Sequence, residues 1–462
     1  MSNQFEFIST DPSISLKPGK SSLIRSRCMQ GKNKRESSRR SQRAIRRAAA
    51  THKAESSTKP DLPSVQAIPP SLNDFALIRF ASDIDAEAQG LIFKAFTYNV
   101  ANPPSPLDRC VDFDYIESAS FQWYFSDAVF LHSILFVSYA INDLVLPSWD
   151  GQPGRKMVSH LRKTLALLAR KMETINVHED EAVLHVVINL ALLAVIYDDW
   201  KAAAAHFAGL QKIVQLRGGV DFLRSRPKLH LKLDRLDLAW SLSSGNNPFF
   251  LLPITSWEPI LQLRLSDSSL YQPPADWDIR LADLFRDFQL LAVTINENVR
   301  KHARYNAACF QTILSSLQSR LMYLESPHHD SIEELVRLSL LALLTTTFEV
   351  PGRKIPYIWV AKKIEKAYIG AIDSINKNSK ALQLWLLMVV AISVTRAEED
   401  WFREAWRAAG IAVNWAEAKK HLTNVIWIEC IHDRAGKTVL QQLTITREAA
   451  DWSMGMKSWD PI

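Results

Sequence analysis

From residue 72 onward, apolar residues recur every three or four positions in seven stretches: 120–145, 156–175, 180–216, 229–242, 280–324, 331–348 and 378–450. Such spacing puts them on one face of a 3.6-residue turn, so each stretch predicts helix. No run alternates apolar and polar residues convincingly enough to predict a strand. The expected fold is therefore all-α, a multi-helix domain of packed helical hairpins spanning 72–462.

Two stretches are apolar almost all round, VLHVVINLALLAVIY (183–197) and LQLWLLMVVAISV (382–394). Both fall short of the roughly 20 residues a bilayer requires, and the first carries His185 and Asn189. They predict buried core helices. Residues 180–216 predict a helical hairpin turning at Asp198–Asp199. Its second arm, DDWKAAAAHFAGL, is rich in alanine and can approach its neighbour closely. It ends in VQLRGG (214–219), where Gly218 or Gly219 can take the left-handed conformation that stops a helix.

The pattern stops below residue 72. Residues 1–71 are poor in apolar residues and rich in Ser, Lys, Arg and Pro, a composition that cannot offset its ordering entropy by burial. They predict a disordered basic N-terminal tail ending in a Pro-rich linker, STKPDLPSVQAIPPS (57–71). The whole chain of 462 residues has 55 basic and 49 acidic residues, a net of +6. Lys17 to Lys53 alone holds 13 basic residues and one acidic, a net of +12. That leaves 42 basic and 48 acidic residues elsewhere, a net of −6. Segregation of this size points to an anionic partner or an import receptor for the tail. The cations are Arg25, Arg27, Lys32, Lys34, Arg35, Arg39, Arg40, Arg43, Arg46 and Arg47. At 100° per residue, Arg35, Arg39, Arg40, Arg43, Arg46 and Arg47 fall within about 140° of one another. The stripe lacks an opposing apolar face, which argues against membrane binding. It lacks an Asn or Gln pattern for reading bases, so any DNA contact is expected to be to phosphate, nonspecific and steeply salt-dependent.

Candidate chemistry is sparse. The four cysteines, Cys28, Cys110, Cys309 and Cys430, are far apart in sequence and form no CxxC pair. A disulfide framework is not expected, nor is a binuclear zinc cluster, which needs six thiolates close together. HEDEAVLH (178–185) has Ala182 where the zinc-protease motif requires histidine. Its Glu181, His185 and Asn189 form a polar stripe, expected to be solvated or hydrogen-bonded. PHHD (327–330) predicts a turn, with Asp330 or Ser331 capping the helix that follows. RAGKTVL (434–440) ends like a phosphate-binding loop, but Ile431 stands where the first glycine must be, and its flanks read as helix. No catalytic residue, cofactor or metal site is expected.

Four segments resemble a known family. FEFISTDPS (5–13) followed by IRSRCMQGKNKRESSRR (24–40) resembles the start of many fungal transcription-factor-like proteins. HFAGLQKIVQLRGGVDFL (206–223) and LDRLDLAWSLSSGNNPFF (233–250) resemble the signature of the fungal-specific transcription factor domain. The matching positions are His206, Gly209, Leu210, Arg217, Gly218, Gly219, Asp237 and Pro248. The resemblance implies an all-helical regulatory domain, nuclear localisation, transcriptional control and no catalysis. Many relatives carry a zinc cluster ahead of this domain, and this chain does not. It therefore resembles the zinc-cluster-lacking branch, and sequence-specific DNA binding does not carry over.

The expectation is a nuclear transcription-factor-like regulator. Its tail would meet an import receptor and, nonspecifically, DNA. Its helical domain would bind a second copy, another transcription regulator or a small effector. The alternative is a helical interaction scaffold that does not touch DNA.

Overall fold

The computed structural model describes residues 79–101, 106–113, 118–145, 151–250, 254, 256–261, 270–324, 332–347, 354–355, 357–411 and 414–456. The chain divides into two units, Met1–Pro69 and Pro70–Ile462, and every described residue belongs to the second. The tail, its cations Arg25 to Arg47, Cys28 and the PHHD turn with its caps Asp330 and Ser331 lie outside the described residues.

The fold is all-α. In chain order the helices are α1 (Ala86–Ala101), α2 (Ser118–Ser126), α3 (Ala128–Val145), α4 (Arg155–Lys171), α5 (Glu181–Ile196), α6 (Trp200–Leu216), α7 (Pro227–Ser244) and α8 (Ile279–Arg300). They continue as α9 (Ala307–Tyr323), α10 (Ile332–Thr345), α11 (Ile358–Gly370), α12 (Ile372–Lys377), α13 (Lys380–Ser393), α14 (Asp400–Ala409), α15 (Trp415–Val425) and α16 (Glu429–Met456). Each of the seven periodic stretches contains helix among the described residues. Two of the breaks in the long ones fall at residues with positive φ. The stretch 280–324 is interrupted after α8, where His302 takes a positive φ of 55°. The stretch 378–450 is interrupted at Gly410, with φ 62°. Helices α1, α11 and α12 fall outside those stretches; α11 buries only Val360, Ile364, Ala367 and Tyr368.

The two apolar helices form the centre. From Leu382 on, every residue of α13 is buried, and α5 is buried except at Glu181, His185, Asn189 and Leu192. Helix α5 packs on α3, α6 and α7, and α13 on α10, α15 and α16. Burying a Leu or Val side chain contributes roughly 1.5–3 kcal/mol, so these faces supply much of the driving force. The α5–α6 hairpin turns at the expected aspartates. Asp198 takes φ 61°, and Asp199 caps α6 by accepting the Ala202 N–H at 3.0 Å. Asp180 caps α5 through the N–H groups of Ala182 (2.9 Å) and Val183 (3.4 Å).

Among the described residues the strand content is one parallel pair, β1 (Val111–Asp112) beside β2 (Tyr305–Asn306). It ties the segment before α2 to the α8–α9 connection.

Candidate functional site

The signature residues form two structural anchors. The first closes the end of α6. Gly218 (φ 92°) and Gly219 (φ 87°) turn the chain in conformations that cost other residues roughly 1–2 kcal/mol. Their N–H groups return to Gln215 O (3.1 Å) and Val214 O (3.0 Å), satisfying carbonyls the helix end would leave open. Arg217 donates through Nε to His178 O, and its guanidinium lies 5.3 Å from the centre of the Phe222 ring. Arg226 approaches the same ring at 5.9 Å and donates to Glu181. Burial pulls the Arg217 pKa down, against the pull of Glu181. RGG is thus a strap holding the end of α6 to the turn before α5.

The second anchor joins α7 to the loop after it. The buried Asp237 carboxylate accepts the N–H groups of Phe249 (2.6 Å) and Phe250 (2.8 Å), the two residues after Pro248. Burial pushes Asp237 up to about 7 despite those two donors. Phe249 stacks on Phe207 of α6 at 5.5 Å and 7°, and both rings meet Trp240 of α7. The two signature segments are therefore knitted through one aromatic cluster. Leu210 is buried within the core, and His206 is half-buried, with burial lowering its pKa. A Cβ on Gly209 would meet nothing within 4 Å, so nothing in the structure explains that glycine.

Sequence reasoning did not find a buried polar cluster that α7 and α9 bring together. Ser315 Oγ donates to Asp234 Oδ2, and Gln311 Nε2 donates to the same oxygen at 2.6 Å. His230 Nε2 lies 3.4 Å from Ser315 Oγ and 3.6 Å from Asp234 Oδ1. Burial pushes Asp234 up to about 7, and burial pulls His230 down to about 4. Serine, histidine and aspartate in one cluster invite comparison with a nucleophilic triad. In a triad the histidine stands between the other two, taking the serine proton on one nitrogen and using the other against the carboxylate. Here serine donates directly to aspartate, and one histidine nitrogen faces both. Ser315 is also only 2% exposed, which closes it to substrate. The cluster is a hydrogen-bonded lock between two helices.

A second lock joins α8 to α9. Arg320 and Asp287 form an ion pair at 2.8 Å with side chains 2% and 0% exposed. Arg320 Nη1 also donates to Glu258 O (3.1 Å), while Asp287 accepts from the N–H groups of Ile260 and Leu261 at 3.0–3.1 Å. These contacts hold a non-helical segment against the core. Each residue announced itself weakly, as a charge set among leucines at helical spacing: Leu317 and Leu321 around Arg320, Leu284 and Leu291 around Asp287.

The remaining motifs have structural uses. Within the HEDEAVLH stripe and its continuation, Glu181 pairs with Arg226, His185 packs on Trp123 at 5.4 Å, and Asn189 donates to Ser133 at 3.1 Å. Burial holds His185 well below the usual histidine range. The Gly436-Lys437-Thr438 sequence lies inside α16. A Cβ on Gly436 would come within 2.8 Å of Trp427 and 3.0 Å of Trp415, so that glycine admits two indoles. Cys110, Cys309 and Cys430 are free thiols. The fold brings two of them together: Cys110 is hydrogen-bonded to Cys430, which raises Cys110 and lowers Cys430. Among the described residues no group of three or more His, Cys, Asp or Glu side chains could hold a metal ion, and no helix is long and apolar enough to cross a membrane.

No protein-family model matches the chain, and neither the curated proteins nor the solved structures contain a match to it.

Proposed function

We propose that the protein is a nuclear, transcription-factor-like regulator without catalytic activity. The basic segment Arg25–Arg47 serves an import receptor and contacts nucleic-acid phosphate nonspecifically. The helical body binds another protein copy, a second regulator or a small effector. The observation that carries this reading is the charge segregation, +12 between Lys17 and Lys53 against −6 elsewhere. The segment resemblances described above support it. So does the body's treatment of its buried polar groups: the Asp234, Asp237 and Asp287 carboxylates are all occupied by the protein's own donors.

The test is a full-length fluorescent fusion with Arg35, Arg39, Arg40, Arg43, Arg46 and Arg47 changed to Gln. The wild type is expected in the nucleus and the variant in the cytoplasm. Cytoplasmic residence of both ends the nuclear reading. The cysteine count favours a second reading, a scaffold that does not touch DNA, because four scattered cysteines cannot build a six-thiolate zinc cluster. Failure to shift DNA at about 50 mM salt, where phosphate contacts are strongest, selects the scaffold.

A further inference from the structure

We infer that the outward face of α4 is a phosphate-contact surface for a nucleic-acid backbone. This rests on the nucleic-acid part of the proposed function and extends it from the N-terminal segment to the folded body. Helix α4, RKMVSHLRKTLALLARK, has six basic residues and no acidic one. It sits in a chain whose residues outside 17–53 carry a net of −6. Its inward face is Met157, Thr164 and Leu168.

The six cations divide into two kinds. The lysines are engaged: Lys156 by Asp85 (3.3 Å) and Glu87, Lys163 by Ser82 (3.0 Å), and Lys171 by Asp127 and Asp180. Arg155, Arg162 and Arg170 are exposed and have no partner among the described residues. At 100° per residue they lie within about 80° of one another, on the side opposite the core. Along the axis they are spaced by about 10.5 and about 12 Å. Between them stand small residues, Ser159, Ala166 and Ala169, so a chain can lie close to the ridge. A cleft of about 380 Å³ opens beside the first two arginines, lined by Pro153, Arg155, Val158, Ser159 and Arg162.

Guanidinium groups present forked donors that match phosphate oxygens in pairs. A linear ridge of three suits a linear polyanion, in which phosphates on one strand recur about every 3.4 Å of helix axis. A lipid surface fits less well. The centre of the ridge offers Ser159 and Ala166, with nothing large to insert, while Leu165 and Met172 are exposed only at its margin.

The test compares the full-length wild type with an Arg155→Gln, Arg162→Gln, Arg170→Gln variant. Binding to a fluorescein-labelled duplex of about 20 bp is followed by anisotropy from about 50 to about 300 mM salt. Each lost phosphate contact lowers the log–log salt slope by about 0.9, so the expected loss is about 2–3, with affinity down at least about tenfold near 100 mM salt. Arg224→Gln, an exposed arginine already paired with Asp221 at 2.8 Å, is expected to change neither quantity. If the wild type binds and the triple variant matches its slope and affinity, the α4 surface is wrong while the basic-segment reading stands. If the wild type fails to bind duplex even at about 50 mM salt, both fall together. If the variant loses phosphatidylserine vesicles but keeps duplex, the partner is lipid and the nucleic-acid assignment is overturned.

Discussion

Arg320 and Arg162 carry the same guanidinium into opposite surroundings. Arg320, on α9, is 2% exposed and bonded to Asp287 and to Glu258 O. Arg162, on α4, stands in water with no partner among the described residues. The network around α7, α8 and α9 is closed to solvent: Arg320 and Asp287 meet each other, a carbonyl and backbone N–H groups, while Arg320 Nε and Gln311 Oε1 are buried without a hydrogen-bond partner among the described residues. The α4 ridge is open: its lysines are consumed by neighbouring carboxylates and a hydroxyl, and its arginines are left over. Removing a closed charge strands its partner in a medium that cannot solvate it. Removing an open one leaves water in its place. Stability should therefore respond to the first region and binding to the second.

The largest effect is expected from Arg320→Ala. It leaves the Asp287 carboxylate buried and half-served, at a cost of about 3–5 kcal/mol in urea unfolding. A cost below about 1 kcal/mol would mean that the lock is not closed. Ser315→Ala comes next. It removes one of two side-chain donors from Asp234, with an expected cost of about 1–3 kcal/mol by the same measurement.

The third expectation concerns pH. Asp234 is raised to about 7 by burial, well above the ordinary value of 3.8. The folded protein thus keeps this proton to higher pH than the unfolded chain does. The associated stability is complete below the unfolded value and is lost as pH rises through about 7. Asp234→Asn cannot titrate there. The variant should therefore gain on the wild type, by about 2–3 kcal/mol between about pH 5 and about pH 8. The neighbouring His230 is held down to about 4 and stays neutral in the fold throughout that window. A pH-independent difference would place the Asp234 carboxyl in a wetter setting. The smallest effect is expected from Arg162→Ala, within about 0.5 kcal/mol of wild type. A larger loss would move Arg162 to the closed class and weaken the case for the ridge.

The helices were legible because burial writes a 3.6-residue period into the local sequence, and α5 and α13 announced themselves as apolar on every side. The Asp198–Asp199 turn and the Gly218 stop were legible for the same reason, since turn chemistry is carried by the residues at the turn. Helix α11 was not, because four buried positions among lysines make a weak stripe. The roles of the signature residues were only half legible. Asp237 could be marked from its sequence setting, but its two acceptor contacts run to Phe249 and Phe250 across a loop.

Sequence alone determined the fold class, the hairpin at 181–216, the charge segregation and the absence of intact zinc-protease and phosphate-loop motifs. All follow from residue types at short separations, where geometry is fixed by the helix itself. Tertiary structure decided which charges are spent and which remain. It set Arg320 on Asp287, Ser315 on Asp234 and Cys110 beside Cys430, and it turned three arginines of α4 outward while the lysines of the same helix found partners. Those pairings join groups distant along the chain, and no local period records which helix face will meet which.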